Sequence, residues 1–493
     1  MEQETKTREV AEHLEGCLES RSRVNGQILR DFVFGMSGGG NPVSEMLEER
    51  KVTGEQLGRV VLAVNGVLND GEYAELDPEG EVVNMLRKVL MGMRMADILQ
   101  LYSPEFVING LQGGPGVSCM VVDVLAAKAD EDATVELMRG TLVMTVLLKK
   151  LFCSDCGVEF ESRCENLIKV LVASRSPVAS GMLLGREFCD FYRTVKTQRG
   201  SKVFTLMDYI LLLLPAGIRS RTPIPKDIYI FSKSECGLTG ALDEYLYVQY
   251  YVKLAALLAD TFDESIFANS QLVLRELVSQ YHISKQDEDR SLYSHTIVEL
   301  VSTLSSADVL PIQTFTRDLI DDYELFKPDN FDLESQADFR LLRDINPNLL
   351  PSEFYANTLQ YVPLLSKKYF DITINLIASE EMFDKMAPVL TSKVITRLPF
   401  DFLHALIFRL TCFPYGIHHL IHQLPTIVSN HLVSSTNVTE TNILKLKTDS
   451  LYNLLNSDED LEMFYDGLRT AYAEITGKIP KRSNNAQILS EST

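Results

Sequence analysis

Two cysteines three residues apart are the first residues in this sequence whose type and spacing could bind a metal or take part in redox chemistry. Cys153 and Cys156 form a CxxC pair, and Cys164 follows eight residues later. A structural zinc site needs four ligands within short reach, but the sequence has no fourth ligand nearby and no second CxxC pair. The pair also lacks the βαβ setting of a thioredoxin-type motif. We therefore expect neither metal binding nor redox activity at these cysteines.

A run of histidines is the second candidate for metal chemistry. His418 and His422 are four residues apart, a spacing that places two imidazoles on one face of a helix, as in helical zinc sites. His419 occupies the position where an HExxH motif has its glutamate, and no third ligand is apparent in the residues that follow. The pattern therefore favours surface histidines, and we expect no metal here either.

Glycine-rich loops could cradle a phosphate group, but those in this chain lack the rest of the motif. GMSGGGN at 35–41 and GLQGGPG at 110–116 are not followed by the Lys-Ser/Thr pair of a P-loop. The sequence also has no GxSxG nucleophile motif and no kinase-type set of motifs. We therefore predict turns at both loops, no cofactor and no enzymatic activity.

The elements that would position these residues are short helices with more than one apolar side. In residues 366–433, stripes such as Leu403, Leu406 and Leu410 recur at helical spacing. Prolines divide this run into short pieces, since proline fits the first turn of a helix but not its interior. A short helix that is apolar on two sides needs two neighbours to cover it, which favours a stack of helical pairs.

A recurring helix end supports such a stack. Several helices close with aliphatic residues and one small residue, at Ser174, Ala259, Ser305, Ser379, Cys412 and Ser457. The intervals of 85, 46, 74, 33 and 45 residues match one or two units of roughly 35 to 47 residues. The sequence therefore predicts an all-α fold, a curved α-solenoid of HEAT or armadillo-like repeats. The alternative is an irregular all-α domain.

The predicted domain organisation follows from this periodicity. We expect a single α-solenoid over residues 1–480, with an irregular or hinge region at 195–240, where several prolines occur. Residues 481–493 have no apolar period and are predicted to be a disordered polar tail.

The charge balance narrows the class of partner. The 493 residues contain 47 Lys and Arg against 68 Asp and Glu, a formal net charge of -21, which disfavours direct contact with a nucleic acid and favours a basic protein partner. The N-terminus lacks an apolar signal region, and the longest aliphatic run, at 209–218, is too short to span a bilayer. We expect a cytoplasmic protein with free cysteines, and leave the nucleus open as a second location.

Two features of the sequence are typical of a protein-binding surface. One is the acidic run 318–339 and the other is the tyrosine-rich helix near residue 250, because carboxylates steer a basic partner and tyrosines supply contact area. The predicted partner-binding residues are Tyr250, Tyr251, Lys253, Asp318, Asp321, Asp322 and Glu324. The alternative is a solvated acidic face with ordinary core tyrosines.

Several phrases of this sequence carry a family resemblance. They are NLIASEEMF at 375–383, the turn Arg397-Leu398-Pro399, Leu410-Thr411 with Tyr415 and Pro425, residues 450–478, VQYYVKLAALL at 248–258 and ADILQLYSPEFV at 96–107. Taken in chain order, they resemble the fungal HEAT-repeat chaperone that assembles the proteasome base. The fungal name of that family also refers to DNA mismatch repair, and its mammalian relative is called proteasome non-ATPase subunit 5. The first 120 residues match less well.

The resemblance implies a function that composition alone could not supply. It implies a curved helical solenoid without catalytic activity that holds the C-terminal domain of one proteasomal ATPase subunit while the base of the 19S regulatory particle is assembled. An adaptor that acts in DNA mismatch repair through protein contacts is the alternative.

Overall fold

The structure, a computed structural model, describes residues 2–36, 54–153, 156–174, 176–198, 200–287, 290–434 and 440–477. Helices joined by short turns make up these residues, and no β-strand occurs among them. The predicted all-α class is therefore confirmed. The glycine-rich loop at 110–116 is a tight connection between two helices, as expected. Most of the loop at 35–41 and the whole predicted tail lie outside the described residues.

Contacts within the chain define two compact units. The first is Met1–Tyr250 with Asp263–Ser270, and the second is Tyr251–Phe262 with Gln271–Thr493. The division passes through the helix Ala241–Asp260, beyond the stretch 195–240 in which we expected a hinge. One continuous solenoid over 1–480 stays a prediction.

The first unit is built from helices of very different lengths. Its helices are Glu2–Ser20, Gly26–Met36, Gly54–Leu68, Tyr73–Leu76, Glu81–Met91, Met95–Leu101, Pro104–Gln112, Pro115–Ala127, Asp132–Gly140, Val143–Cys153, Gly157–Ser174, Ser176–Leu183, Arg186–Gln198, Ser201–Ser220, Lys226–Tyr229 and Lys233–Cys236. The helix Ala241–Asp260 begins in this unit, and the start of Glu264–Ser279 also belongs to it.

Packing in the first unit runs as a ladder along the chain. Five helices pack in chain order, each against the next one in the series. They are Gly26–Met36, Glu81–Met91, Pro115–Ala127, Gly157–Ser174 and Ser201–Ser220. The last four of these helices begin 34, 42 and 44 residues apart, close to the period that the sequence predicts. Each is covered by a helix before it and one after it, which is how stacked repeats bury helices that are apolar on two sides.

The stretch 195–240 is more regular than expected. It includes the whole helix Ser201–Ser220, and only the residues after it are mostly non-helical. This later part is held by Lys196, whose buried Nζ donates to the carbonyls of Asp227 at 2.6 Å and Ile230 at 2.7 Å. Burial lowers the pKa of the Lys196 amine. These bonds anchor the segment to the helix Arg186–Gln198. The hinge at 195–240 stays a prediction.

The helix Ser201–Ser220 contains the aliphatic run 209–218 and is longer than that run. By length and composition alone it could cross a membrane. Half of its most apolar window is buried inside the fold, where it packs on Gly157–Ser174 and Ser176–Leu183. Ile210 and Leu213 are fully buried. Such coverage is typical of the core helix of a globular protein.

The second unit contains shorter helices and several irregular turns. After the end of Glu264–Ser279 its α-helices are Tyr281–Ser284, Ser291–Ser306, Leu310–Asp322, Gln336–Asp344, Phe370–Leu376, Glu380–Met386, Ser392–Ile395, Phe400–Thr411, Pro414–His422, Pro425–Ile427, Thr441–Leu455 and Tyr465–Thr476. Among the described residues, 3-10 turns occur at Pro347–Leu349, Ala387–Val389 and Glu462–Phe464, and π-helical turns at Tyr355–Leu359 and Val428–Val433.

The second unit repeats the ladder. Five of its helices also pack in chain order, each against the next one in the series. They are Ser291–Ser306, Gln336–Asp344, Phe370–Leu376, Phe400–Thr411 and Thr441–Leu455. These helices begin 45, 34, 30 and 41 residues apart. Within each unit the helices are therefore stacked in chain order, as in an α-solenoid, while the HEAT or armadillo type of the repeat stays a prediction.

Proline and glycine fix the sharp connection between Phe400–Thr411 and Pro414–His422. Pro414 lies in the first turn of its helix, where a missing N–H costs nothing. A Cβ atom at Gly416 would lie 2.3 Å from the carbonyl oxygen of Leu410, so only glycine allows the two helices to approach this closely. This contact sets the position of the histidines that follow.

Candidate functional site

The predicted tyrosine anchors lie in the core. Tyr250 is 2% exposed and Tyr251 is fully buried. The Tyr250 hydroxyl donates to the carbonyl of Tyr229 at 2.6 Å, and its ring meets that of Phe231 edge-on at 5.1 Å. The assignment of Tyr250 and Tyr251 to a binding surface is therefore wrong, because both side chains are buried inside the fold. Lys253, on the same helix, is exposed.

Replacing Tyr250 by phenylalanine should lower the free energy of unfolding by about 1 to 2 kcal/mol, because the buried carbonyl of Tyr229 would lose its donor. Urea denaturation measures this. Tyr361→Phe is the matched control, since Tyr361 is 85% exposed. Removing its hydroxyl should change the free energy of unfolding by less than about 0.5 kcal/mol. Weaker partner binding by Tyr250→Phe at unchanged stability would contradict the core assignment.

The predicted acidic residues do lie at the surface, but several are paired. Asp318 and Asp322 are one turn apart on the helix Leu310–Asp322, and both face Arg275, at 3.9 Å and 2.5 Å. The Arg275 guanidinium also lies 5.1 Å from the centre of the Phe315 ring. Arg275 therefore neutralises part of the negative charge that the sequence shows at this helix.

The other two acidic residues differ from each other. Glu324 is exposed and pairs with Lys327 at 2.9 Å, and this bond lowers the pKa of its carboxyl. Asp321 is exposed, and it forms no ion pair with any residue that the structure describes. Of the four predicted carboxylates, Asp321 therefore contributes the least compensated charge.

Asp338 lies in the acidic run 318–339 but is fully buried. Its carboxylate accepts bonds from Lys285 Nζ at 2.7 Å, Tyr281 Oη at 2.6 Å and the Asp332 N–H at 3.0 Å. Burial and this carboxylate raise the pKa of the Tyr281 hydroxyl. Asp338 therefore belongs to a core network, whereas Asp329 and Glu334 of the same run are exposed.

The histidines of the helix Pro414–His422 face two different sides. His418 Nδ1 and His422 Nε2 each lie 3.0 Å from one oxygen, Oε1 of Glu459, and their rings are 4.4 Å apart. His419 turns inward, with Nε2 3.2 Å from the carbonyl oxygen of Leu390. No third ligand is apparent in the sequence that follows these histidines, but the fold brings the Glu459 carboxylate against both His418 and His422.

Glu459 was missed because it follows His422 by 37 residues, so no local motif includes it. It lies in the loop after the helix Thr441–Leu455. The repeat period was the available signal. Residues one repeat apart lie side by side in a stack, and His418 and Glu459 are 41 residues apart.

Comparisons with known proteins cover almost the whole chain. The family model described as DNA mismatch repair protein HSM3, N terminal domain, matches residues 46–256, and the model for the C terminal domain matches 265–493. The protein of that name from Debaryomyces hansenii is 34% identical over 464 residues, which are 92% of this chain and 91% of the relative.

The chain belongs to the HSM3 family.

Other HSM3 relatives are more distant but similar in extent. The protein from Candida albicans is 25% identical over 436 residues, covering 85% of this chain and 86% of the relative. That from Scheffersomyces stipitis is 22% identical over 472 residues, covering 92% and 89%. The family resemblance seen in the sequence is confirmed.

The two HSM3 family models also agree with the division of the fold. The N-terminal model ends at residue 256 and the C-terminal model begins at 265. Between Tyr250 and Gln271 the chain passes from the first compact unit to the second, back to the first and again to the second. The boundary between the two HSM3 domains therefore lies near the end of the helix Ala241–Asp260.

The cysteine pair stays only partly described. The side chain of Cys153 lies outside the described residues. Cys156 has Lys202 Nζ at 3.9 Å and Glu161 Oε1 at 3.8 Å, and burial raises the pKa of its thiol. Burial also raises the pKa of Cys164. That the pair binds no metal stays a prediction.

Proposed function

We propose that this HSM3-family protein is a non-catalytic assembly chaperone. It binds the C-terminal domain of a proteasomal AAA-ATPase subunit, and base-assembly intermediates that contain it, while the 19S base is assembled. The observation that carries the proposal is membership of the HSM3 family over residues 46–256 and 265–493, together with the chaperone function that the sequence resemblance implies.

The chemistry of the described residues supports a binding role rather than a catalytic one. Two groups with strongly perturbed environments, Tyr281 and Lys196, donate their hydrogen bonds to neighbours in the core. The net charge of -21 favours a protein partner with basic regions over a nucleic acid. We further propose that the protein acts in the cytoplasm, without a membrane, with the nucleus left open as a second location.

Exposed carboxylates provide the surface for this proposal. Asp321 and the partly paired Asp318, Asp322 and Glu324 lie within two turns of one another in sequence, and Lys253 is exposed on another helix. Charges of this kind mainly raise the rate of encounter with a partner of opposite charge. The contact surface that anchors the partner is separate from Tyr250 and Tyr251, which are buried.

An adaptor in DNA mismatch repair is the second candidate. The observation in its favour is the name of the HSM3 relatives, which refers to DNA mismatch repair. In this function the protein would act through protein contacts, because its charge disfavours direct contact with DNA.

A pull-down from cell extract separates the two functions. The intact chain is immobilised, and the bound proteins are identified by mass spectrometry. ATPase subunits of the proteasome base without the mature proteasome would support the chaperone function. Repair factors without ATPase subunits would overturn it in favour of the adaptor.

Charge reversal at Asp321 tests the acidic surface. Asp321→Lys should slow association with a purified ATPase C-terminal domain by about three- to tenfold at low ionic strength, and the effect should fade at high salt. Association rates at several salt concentrations measure this. Asp384→Lys is the matched control, since Asp384 is also an exposed carboxylate of the second unit. Equal effects of the two variants would show that the partner binds elsewhere.

A further inference from the structure

We propose that His418, His422 and Glu459 form a binding site for a zinc ion, or for another late first-row divalent cation that competes with zinc. The site joins the helix Pro414–His422 to the loop that follows Thr441–Leu455. It is independent of the proposed chaperone function.

The distances between the donor atoms suit one ion. His418 Nδ1 and His422 Nε2 are each 3.0 Å from Glu459 Oε1, and the three donor atoms all lie within 4.8 Å of one another. Zinc binds imidazole nitrogen and carboxylate oxygen at about 2.0 to 2.2 Å, so donors around one tetrahedral ion are roughly 3.3 to 3.6 Å apart. The donors therefore need only small side-chain rotations to bind an ion between them.

The backbone holds the donors in place. His418 and His422 are one turn apart on a helix whose other face is buried through Ile417, Leu420 and Ile421. The start of this helix is fixed by the close approach at Gly416. The loop that carries Glu459 is held by buried Leu461 and by the Ser457 hydroxyl, which donates to the Leu454 carbonyl at 2.7 Å. Little conformational freedom has to be lost on binding.

The exposure of the donors lets an ion enter from solvent. The His418 side chain is 62% exposed, that of His422 30% and that of Glu459 25%. Glu459 also lines an open cleft of about 650 Å³, together with Cys412, Tyr452 and Asn456. Three protein ligands with an accessible fourth position are typical of a zinc site that keeps one water molecule.

The donor set selects the class of cation. Two imidazoles and one carboxylate suit Zn²⁺, Co²⁺, Ni²⁺ and Cu²⁺, whereas Mg²⁺ and Ca²⁺ prefer oxygen ligands. Without a metal, the same three residues form an ion-paired cluster whenever the histidines are protonated. Zinc binds the neutral form of an imidazole, so protons and zinc compete for these two histidines.

Calorimetric titration of the full chain with zinc chloride tests the site. The protein carries no affinity tag and is first treated with a chelator. We expect one zinc ion per chain, a higher midpoint of thermal unfolding with zinc, and no comparable effect of magnesium. His418→Ala, His422→Ala and Glu459→Gln should each weaken zinc binding by at least about tenfold, with circular dichroism to verify that each variant is folded.

Matched variants separate this site from other zinc ligands. Asp458→Asn removes an adjacent exposed carboxylate, and His295→Gln removes a partly exposed histidine of the same unit; both should bind zinc as the natural chain does. A Cys153→Ser and Cys156→Ser double variant should also retain binding, and the cobalt complex should lack a thiolate charge-transfer band.

Three results would overturn the proposal. One is the absence of zinc binding by the natural chain. The second is equal affinity in the natural chain and in folded His422→Ala and Glu459→Gln variants. The third is loss of the bound zinc in the double cysteine variant with the histidine variants unaffected, which would also contradict the expectation for the CxxC pair.

Discussion

Replacing Asp338 by alanine is expected to lower the free energy of unfolding by about 3 to 5 kcal/mol. The side chain of Asp338 is completely buried, and that of Lys285 is 10% exposed. Without the carboxylate, Lys285 would keep a largely buried positive charge, and its remaining acceptor among the described residues would be the Asn330 carbonyl. The Tyr281 hydroxyl would lose its acceptor. Both losses leave polar groups without compensation in the core.

Urea denaturation measures the loss in the free energy of unfolding. Native-state hydrogen exchange of the amides in the helix Gln336–Asp344 shows whether the loss includes this part of the fold. Asp329→Ala is the matched control, because Asp329 is an exposed carboxylate in the same acidic run and should change stability by less than about 0.5 kcal/mol. A Lys285→Met change in the Asp338→Ala background should recover part of the loss, since it removes the unpaired charge. Equal stability of Asp338→Ala and Asp329→Ala would contradict the buried network.

Acid should destabilise the second unit through His404. His404 is fully buried, and neither of its ring nitrogens has a hydrogen-bond partner among the described residues. Its ring contacts that of Phe400 at 4.5 Å and faces His431 at 6.3 Å. Burial lowers the pKa of His404 to about 4, and the neighbouring His431 and Lys447 act in the same direction.

The sign of the effect follows from proton binding. Between about pH 6.5 and 4 the unfolded chain protonates this histidine while the folded chain does not, so stability falls as the pH falls through this window and levels off below it. The pKa difference corresponds to about 3 kcal/mol. Burial also lowers the pKa of His431, which adds to the loss.

His404→Phe isolates this contribution. The free energy of unfolding is measured by urea denaturation at several pH values between 7 and 4. It should fall less steeply with pH for His404→Phe than for the natural chain, and the two should differ by about 3 kcal/mol at pH 4. The phenyl ring keeps an aromatic group beside Phe400 and removes the two unpartnered nitrogens. Parallel pH profiles for the two proteins would show that His404 takes up its proton in the folded state as readily as in the unfolded chain.

The class of fold could be predicted from the sequence because it depends on local patterns. Apolar residues at helical spacing, and prolines such as Pro414 at the start of a helix, determine where helices begin and end. The repeat interval was also readable, since the ladder helices in both units follow one another at similar distances.

Which polar and aromatic side chains of those helices are buried, and which are exposed, could not be predicted in the same way. Tyr250 has a partner 21 residues earlier, Asp338 has one 53 residues earlier and Glu459 serves a histidine 41 residues earlier. A tyrosine or a carboxylate has the same local pattern whether it is solvated or covered by the next repeat. Burial is therefore decided by the stack, and the predicted anchors at Tyr250 and Tyr251 failed for this reason.

The ladder of helices has a consequence for synthesis on the ribosome. In both units a helix finds its packing partner roughly one repeat further along the chain. At about 5 to 20 residues per second, translation supplies that partner within several seconds. Contacts so close in sequence need little loop closure, which favours rapid folding. Each unit can therefore grow by adding one layer at a time to a surface already in place, and a nascent chain exposes little more than the apolar side of its newest helix.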